Sequence, residues 1–355
     1  MGMKMIVAPD SFKGCLSARE AASVLAATLR ECLPDANVVE CPLADGGEGT
    51  LDVLVRALNG TCFEAVVSDP LGRPVRASYG ICGDLAIIEV AQACGLHLLA
   101  PTERNPLLAS SRGVGELLCA AASHGCRRMV IGLGGSATCD GGAGMLAVLS
   151  EGCALSGQEL QDSLSGISIS VLCDVDNPFL GPSGAARVFG PQKGASPADV
   201  EVLEGRMALM AQRMLAQTGL DVSNLPGAGA AGGLGGALAA CFGGKLVRGI
   251  DTILELIGFD KLSDGADWII TGEGKSDRQT LSGKAPYGVL HHAGTIPVAL
   301  ISGRIEHLET LRTAGFAYLD AITPTDLPDS EAIRPDLART YLTLAARRFA
   351  NTIAT

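Results

Sequence analysis

Short, mostly apolar runs recur along this 355-residue chain, and they constrain its fold more than any other feature. Examples are MKMIVAP at 3–9, ADWIIT at 266–271 and TIPVALI at 295–301. Strands that are covered by helices on both faces need such continuous apolar runs, which are typical of parallel sheets. The pattern therefore predicts an α/β fold with parallel strands.

The first sixty residues have a βαβα order. A strand at 3–9 leads to a helix that Ser17 opens, because Ser17 and Glu20 form a capping box. A second strand at 37–43 leads through the loop ADGGEGT to a helix that ends near Leu58. Strands that alternate with helices in this way predict a parallel sheet.

The middle of the chain follows another pattern. Residues 62–69 and 74–81 alternate between apolar and polar around DPLGRP, which predicts an antiparallel hairpin. Further elements are predicted as strands at 85–90, 128–133 and 168–174 and a helix at about 112–124. This stretch predicts a mixed α/β domain.

Three apolar strands follow Gly265, at 266–271, 295–301 and 316–322. Together with the first two strands they make five, the number in a flavodoxin-like sheet. We therefore predict a flavodoxin-like parallel-sheet domain formed by residues 1–60 and 250–355. A second, mixed α/β domain, residues 61–249, is predicted to be inserted in it.

Composition and charge exclude several classes of protein. The formal net charge is −11, and no run of Lys and Arg is present, so a nucleic-acid partner is not expected. No apolar run approaches the roughly 18 uncharged residues that a membrane span needs. The N-terminal residues show no signal-peptide pattern, and a cytoplasmic location is expected.

The twelve cysteines include no CxxC pair, so neither a zinc site nor a redox motif is predicted. Small buried side chains kept reduced in the cytosol are the favoured interpretation. The alternative is a catalytic thiol, for which Cys139 in a glycine-rich loop is the best candidate.

Three glycine-rich motifs resemble nucleotide loops only in part. GAGAAG at 227–232 matches the dinucleotide fingerprint, but Pro226 interrupts the strand that should precede it, so a nicotinamide-dependent dehydrogenase is a weaker alternative. GEGKS at 272–276 lacks the first P-loop glycine, because Ile269 takes its position. GLGGSA at 132–137 resembles a loop of galactokinase-type kinases and indicates phosphate binding only.

Acids and lysines accompany the glycines in three loops that follow strands, APDSFKG, ADGGEGT and TGEGKSDRQTLSGK. Because the carboxyl ends of parallel strands share one edge of the sheet, these loops are predicted to meet in one crevice. They contain Asp10, Ser11, Lys13, Asp45, Glu48, Glu273, Asp277 and Lys284. The middle region adds Asp140 in GLGGSATCDGGAG, and Asp174, Asp176, Asn177 and Lys193 in CDVDNPFLGPSGAARVFGPQKGA.

This set of residues suits phosphoryl transfer. That reaction needs Mg²⁺ on carboxylates, lysines and amides on phosphate oxygens, and a carboxylate that orients the attacking hydroxyl. Each residue also has a purely structural interpretation. Asp45 and Glu48 can cap a helix, Asp174 and Asp176 can form an Asx-turn, and Lys193 and Lys284 can be solvated.

These motifs, together with ERNPLLASSRGVGEL (103–117) and PGAGAAGGLGG (226–236), resemble the bacterial glycerate kinases of the first type over nearly the whole chain. The resemblance implies two α/β domains, one flavodoxin-like and one inserted. It also implies ATP-dependent phosphorylation of D-glycerate, usually to 2-phosphoglycerate. Cys15, Cys139 and Arg278 depart from the family's usual residues, and these departures concern fine specificity.

The residues are assigned roles as hypotheses. The predicted catalytic residues are Asp45, Lys13, Asp176, Lys193 and Asp277. Predicted ATP-binding residues are Ser11, Gly134, Gly135, Ser136, Gly229, Gly232, Glu273 and Lys284. Predicted glycerate-binding residues are Asp10, Arg104 and Asp140, and predicted Mg²⁺ ligands are Asp45, Asp174 and Asp277.

The active site is expected in the cleft between the two domains. A non-catalytic protein that binds a small acid or a nucleotide is an alternative from another class, beside the dehydrogenase. The sequence leaves open which hydroxyl is phosphorylated and the oligomeric state, a homodimer included.

Overall fold

The computed structural model describes residues 2–12, 14–151, 164 and 166–354. The chain divides into two compact units, Met1–Asp45 with Ile250–Thr355 (unit 1) and Gly46–Gly249 (unit 2). The division predicted from the sequence differs from these units in the placement of residues 46–60. That residues 1–60 with 250–355 and residues 61–249 form two separate domains stays a prediction.

The secondary structure alternates strands and helices along most of the chain. The strands are β1 (Lys4–Val7), β2 (Asn37–Glu40), β3 (Thr61–Ser68), β4 (Pro74–Cys82), β5 (Leu85–Glu89), β6 (Arg128–Gly132), β7 (Ser168–Leu172), β8 (Lys245–Val247), β9 (Trp268–Thr271), β10 (Lys275–Ser276), β11 (Val298–Ser302), β12 (Arg304–Ile305) and β13 (Tyr318–Ala321). The helices are α1 (Ala18–Cys32), α2 (Thr50–Ala57), α3 (Ala91–Cys94), α4 (Arg112–Ala122), α5 (Ala143–Glu151), α6 (Ala185–Phe189), α7 (Pro197–Thr218), α8 (Ala230–Phe242), α9 (Gly249–Ile257), α10 (Phe259–Ser263), α11 (Ala285–His292), α12 (Leu308–Ala314), α13 (Asp329–Ala332) and α14 (Pro335–Ile353).

Unit 1 contains a five-stranded parallel sheet in the order β2-β1-β9-β11-β13. This is the flavodoxin-like order 2-1-3-4-5. The fold class predicted from the apolar runs is confirmed. Each strand predicted for this sheet is longer than the observed one, because apolar side chains such as Ala8 extend beyond the residues that pair.

Helices cover both faces of this sheet. Successive strand residues point to opposite faces, so Met5 and Val7 pack with α1 and α14, whereas Ile6 and Ala8 pack with α9 and α11. The predicted capping box starts α1: Ser17 Oγ accepts from the Glu20 amide at 3.2 Å, and the Glu20 carboxylate accepts from the Ser17 amide at 3.0 Å. The cap and the apolar face together explain where this helix begins and what it buries.

Unit 2 contains a six-stranded mixed sheet in the order β3-β4-β5-β6-β7-β8. The predicted hairpin is confirmed, since β3 and β4 pair antiparallel. β4 and β5 also pair antiparallel, and the remaining neighbours are parallel. No helix in the described ranges combines the length and the apolar character that crossing a membrane requires.

Candidate active site

A cavity of about 650 Å³ lies at the carboxyl edge of the parallel sheet in unit 1. Every strand of that sheet contributes to its lining through the residues that follow it. Asp10 follows β1, Asp45 follows β2, Glu273 follows β9, Arg304 follows β11 and Thr323 follows β13. Open α/β sheets bind ligands at this edge, where the connections reverse direction.

The loop after β1 places Asp10 and Ser11 in this cavity. The Asp10 carboxylate is buried and accepts a 2.6 Å hydrogen bond from the Ser11 amide. The Asp10 amide donates to the Gly272 carbonyl at 2.8 Å, which links this loop to the loop after β9. Lys13, predicted as a catalytic residue, lies outside the described residues.

Glu273 is a buried carboxylate with several local partners. Its Oε1 accepts from Ser276 Oγ at 3.0 Å and from Thr280 Oγ1 at 2.6 Å. Its Oε2 accepts from Lys284 Nζ at 3.3 Å. Burial raises the pKa of the Glu273 carboxyl, while these donors and the Lys284 charge act against that shift. The ion pair of Glu273 and Lys284 therefore lies at the cavity wall.

Two glycines allow the loops after β9 and β11 to approach each other. A Cβ on Gly272 would lie 1.8 Å from the Ile301 carbonyl oxygen. A Cβ on Gly303 would lie 2.2 Å from the carbonyl oxygen of Gly274. Only glycine avoids these overlaps, and the close approach permits the short pairing of β10 with β12 beside the cavity.

Asp277 has a local partner. Its carboxylate accepts a 2.7 Å hydrogen bond from the Gln279 amide and begins the short 3-10 helix Arg278–Ser282. Among the described residues that line the cavity, Asp277 does not occur. Its predicted catalytic and metal-binding roles stay predictions, with capping as the observed contact.

Unit 2 buries a lysine. Lys193 Nζ donates to Ser136 Oγ at 3.0 Å and to the Thr138 carbonyl at 2.7 Å. In the described part of the chain no carboxylate lies within ion-pair distance of this ammonium group. Burial lowers the pKa of Lys193, and the nearby Cys139, Cys94 and Asp140 act in the opposite direction. A buried cation without an ion pair is costly and suits a site that receives an anion.

Asp140 joins the glycine-rich loop to the starts of two helices. Its Oδ2 accepts from the Ser111 amide and hydroxyl at 2.9 and 2.8 Å and from the Gly144 amide at 3.1 Å. Its Oδ1 accepts from the Gly142 amide at 3.1 Å. These bonds fix the loop that also presents Ser136 to Lys193, so the structure brings Ser136, Asp140 and Lys193 into one region.

The predicted glycines of unit 2 lie in two loops. Gly134 and Gly135 follow β6, next to Ser136. Gly229 and Gly232 lie at the start of α8, where a Cβ on Gly232 would lie 1.9 Å from the Thr138 carbonyl oxygen. Close backbone packing accounts for this glycine. No strand directly precedes GAGAAG within the described chain, so the dinucleotide fingerprint lacks its structural context.

The remaining predicted residues of unit 2 are more exposed. Asp174 and Asp176 are exposed, and Asp174 Oδ1 accepts from the Gly249 amide at 2.9 Å. Asn177 Nδ2 donates to the Ser183 carbonyl at 2.8 Å. Arg104 Nε is buried and has no hydrogen-bond partner among the described residues. The Arg104 carbonyl lies against Gly194, so the arginine lies close to the Lys193 loop.

The donor set of unit 1 fits Mg²⁺ in its chemistry. In the described ranges no group of three or more His, Cys, Asp and Glu side chains is arranged to hold a metal. Mg²⁺ in phosphoryl-transfer sites is held by one or two carboxylates, with substrate phosphates and water completing its shell. Asp10 and Asp45, which line the same cavity, can provide that number.

Cys139 is fully buried, and burial raises the pKa of its thiol. A thiol that is buried and protonated is a poor nucleophile, which argues against the catalytic-thiol alternative. Cys94, Cys119 and Cys126 are also buried, and Cys62 is exposed. The described cysteines are all free thiols.

Sequence reasoning did not select Arg304 or Thr323, which line the unit 1 cavity. Thr323 directly follows a predicted strand and Arg304 lies three residues after another, so the rule that selected Asp10 and Asp45 could have found them. It also missed Glu89, a buried carboxylate of unit 2 that accepts a 2.7 Å hydrogen bond from the Leu51 amide. Glu89 lies in an apolar run, LAIIEV, where a single acid gave no motif.

The fold and the cavity define an α/β enzyme that gathers carboxylates, a lysine and glycine-rich loops at the edge of a parallel sheet. The model of the glycerate kinase family matches residues 5–354. The chain belongs to the glycerate kinase family, as the resemblance of its loops implied.

Individual relatives agree with this assignment. A glycerate kinase of Bacillus subtilis is 42% identical, with 99% of this chain and 98% of the relative covered. A glycerate 2-kinase of Escherichia coli is 42% identical, with 85% of this chain and 86% of the relative covered. The crystal structure of a putative glycerate kinase 2 from Salmonella typhimurium matches with a TM-score of 0.85 and 38% identity, covering 100% of this chain and 99% of the other.

Proposed function

We propose that this protein transfers the γ-phosphoryl group of ATP to D-glycerate, with Mg²⁺, and that the product is 2-phosphoglycerate. The glycerate hydroxyl oxygen forms the new P–O bond, the bond to ADP breaks, and the hydroxyl proton leaves to a base. Family membership and the glycerate 2-kinase among the relatives support the acceptor and the position. Since ATP is an intracellular phosphate donor, the reaction belongs in the cytoplasm.

The observation that carries the proposal is the cavity of unit 1. Asp10, Ser11, Asp45, Glu273 and Lys284 line it together, although they come from three separate segments. Phosphoryl transfer depends mainly on positioning and on electrostatic stabilisation, which such a set can provide. Bound Mg²⁺ would neutralise charge on the phosphate oxygens, with Asp10 and Asp45 as the residues that hold it.

Asp45 is the residue we assign to the acceptor hydroxyl or to the metal. It lies in the loop after β2, next to the buried residues Leu43 and Ala44, and it lines the cavity. Lys284, held by Glu273 at 3.3 Å, is assigned to the phosphate oxygens. A lysine in this role lowers the charge repulsion between the phosphate and the attacking oxygen.

Unit 2 offers the groups that suit a carboxylate. Lys193 is a buried ammonium group, and Arg104 Nε is buried without a hydrogen-bond partner in the described chain. A small hydroxy-acid carries one carboxylate that needs such donors. The cleft between the two domains, predicted from the sequence as the place of the active site, stays a prediction.

The test is a coupled assay of the purified full chain. We expect ATP consumption that requires both D-glycerate and Mg²⁺ and that EDTA abolishes. ³¹P NMR of the product should place the phosphate on the 2-position, and a 3-phosphate would contradict the regiochemistry alone. Oxidation of NADH with hydroxypyruvate, in the absence of ATP consumption, would contradict the kinase and favour the dehydrogenase alternative. Binding of glycerate without any turnover would favour the binding-protein alternative.

A further inference from the structure

Glu89 is a buried carboxylate to which the proposed reaction gives no role. It is the last residue of β5 and is 4% exposed. Its Oε1 accepts a hydrogen bond at 2.7 Å from the amide of Leu51, in the first turn of α2. Its Oε2 accepts from Gln92 Nε2 at 3.3 Å. The carboxylate therefore connects the end of a strand to the start of a helix that lies 38 residues earlier in the chain.

Gln92 fixes the orientation of this carboxylate. Gln92 Oε1 accepts from the Ser78 amide at 3.3 Å, so the Nε2 side of the same group faces Glu89. Burial raises the pKa of the Glu89 carboxyl, while the amides of Leu51 and Gly49 and the Gln92 side chain act against that shift. Three donors thus hold the carboxylate in one place.

The helix that Glu89 contacts begins after a glycine-rich turn at 46–49. Its N-cap, Gly49, has a φ of 96° and no side chain that could accept from the first amides of the helix. Helix starts are usually capped by a neighbouring Ser, Thr, Asp or Asn, which can stay in water. Burying a carboxylate is more costly than such a local cap, so helix stability alone does not account for Glu89.

The turn at 46–49 also packs tightly against the end of β6. The Gly134 amide donates to the Gly46 carbonyl at 3.3 Å. A Cβ on Gly132 would lie 2.5 Å from the Gly46 carbonyl oxygen, and a Cβ on Gly134 would lie 2.5 Å from Gly47 Cα. Gly132 is the register partner of Glu89 in the pairing of β5 with β6. The turn is therefore held at its start by the end of β6 and at its end by Glu89.

Asp45 directly precedes this turn in the chain, so the turn limits the positions that Asp45 can take. We propose, on the basis of the function proposed above, that Glu89 is a positioning residue for the reaction. It fixes the turn at 46–49 through the first amides of α2, and the turn fixes the backbone at Asp45. Glu89 acts through Asp45 and not on the substrate. A displacement of a reactive group by about 1 Å can lower a rate 10²-fold, so this support affects turnover.

A double-mutant cycle with Asp45 tests the assignment. We expect Glu89→Gln to lower kcat about 10-fold, because Gln keeps the size of Glu but turns an NH₂ group toward the NH₂ donor of Gln92. In the Asp45→Asn background the same change should lower kcat less than about 2-fold, because the carboxylate that Glu89 positions is already absent. A loss of about 10-fold in both backgrounds would overturn the inference.

Glu116→Gln is the matched control, since Glu116 Oε2 also accepts from a backbone amide of unit 2, that of Ser68 at 2.6 Å. It should lower the melting temperature by a similar amount and change kcat less than about 2-fold. If Glu89→Gln does not fold, Gln92→Ala enters the same cycle, because it removes a donor and leaves the carboxylate in place. Its expected loss of kcat is about 3-fold, and wild-type kcat in Gln92→Ala and Glu89→Gln would overturn the positioning role.

Hydrogen exchange of the full chain separates this inference from the proposed function. In Glu89→Gln, amides in peptides that cover 46–51 should exchange at least about 5-fold faster than in Glu116→Gln. Unchanged exchange there would overturn the inference even if the enzyme is active. If the wild-type chain does not phosphorylate glycerate, the proposed function fails, and the exchange rates still decide whether Glu89 holds the turn.

Discussion

Units 1 and 2 each bury an ionisable side chain, Glu273 and Lys193, and the two side chains differ in whether an oppositely charged partner lies beside them. In unit 1 the Glu273 carboxylate has Lys284 and two hydroxyl groups as partners. In unit 2 the Lys193 ammonium group has only a hydroxyl and a carbonyl oxygen among the described residues. A carboxylate that is already compensated serves to position its partners, whereas a cation that lacks an anion is suited to bind one.

The largest expected effect tests whether unit 1 supplies the reactive carboxylate. We predict that Asp45→Asn lowers kcat by about 10²-fold or more, because the amide loses the charge that binds Mg²⁺ or orients the hydroxyl. The melting temperature should stay near that of the wild type, since Asn matches Asp in size and the N-cap of α2 is Gly49, not Asp45. Steady-state kinetics and thermal unfolding measure both effects.

Asp52→Asn is the control for this change, because Asp52 is an exposed acid that pairs with Arg56 on α2. Partial recovery of the Asp45→Asn variant at high Mg²⁺ would assign Asp45 to the metal. Wild-type turnover in the variant would reduce Asp45 to a structural residue and move the assignment to Asp10.

Lys193→Met tests whether the buried cation of unit 2 binds the carboxylate of glycerate. We expect the KM for glycerate to rise about 30-fold, because the buried cation that would meet the acceptor carboxylate is gone. The KM for ATP should change less than about 3-fold. Stability should not fall strongly, since an apolar side chain of similar length removes an uncompensated buried charge.

Lys245→Met, which changes an exposed lysine of β8, is the matched control. A large loss of stability with an unchanged KM for glycerate would show that Lys193 only supports the loop of Ser136 and Thr138. The split between the two KM values therefore separates a binding role from a structural one.

The two buried charges should also give pH dependences of opposite sign. Burial raises the pKa of Glu273 above its ordinary 4.5, so the folded state binds the proton more tightly and the stability falls as pH rises through that window. Burial lowers the pKa of Lys193 below its ordinary 10.5, so the unfolded state binds the proton more tightly and the stability rises as pH rises toward 10.5.

Denaturant unfolding across pH measures these contributions. Glu273→Gln should remove the fall above pH 4.5 relative to the wild type, and Lys193→Met should remove the rise below 10.5. Glu64→Gln, at an exposed carboxylate of β3, is the control for the first variant. Parallel curves for Glu273→Gln and the wild type would contradict the argument from burial.

The smallest expected effect concerns Cys139, which lies near Lys193. Its burial raises the pKa of the thiol, so we expect Cys139→Ala to change kcat by less than about 3-fold. A steady-state assay measures this change in kcat. Cys119→Ala, at another buried cysteine, is the control for the loss of side-chain volume. A loss beyond about 10³-fold in Cys139→Ala alone would restore the catalytic-thiol hypothesis.

Much of the fold could be predicted because its signals are local. The Ser17–Glu20 capping box, the β3–β4 hairpin and the apolar runs of the parallel sheet each lie within a few residues of sequence. The rule that parallel strands share a carboxyl edge then places Asp10, Asp45 and Glu273 in one crevice from the sequence alone. Secondary structure and the edge of the sheet that carries the site are therefore properties that the sequence determines by itself.

The partners of individual side chains were decided only by the tertiary structure. Asp277 lies in the same loop as Glu273, yet it caps a 3-10 helix, and Asp174 bonds the amide of Gly249, 75 residues away. Lys193 could have been solvated, and its burial against Ser136 and Thr138 depends on how loops 55 to 57 residues apart pack. Sequence spacing carries no information on such distances, because the packing of segments far apart in the chain fixes which polar groups lose water and which partners replace it.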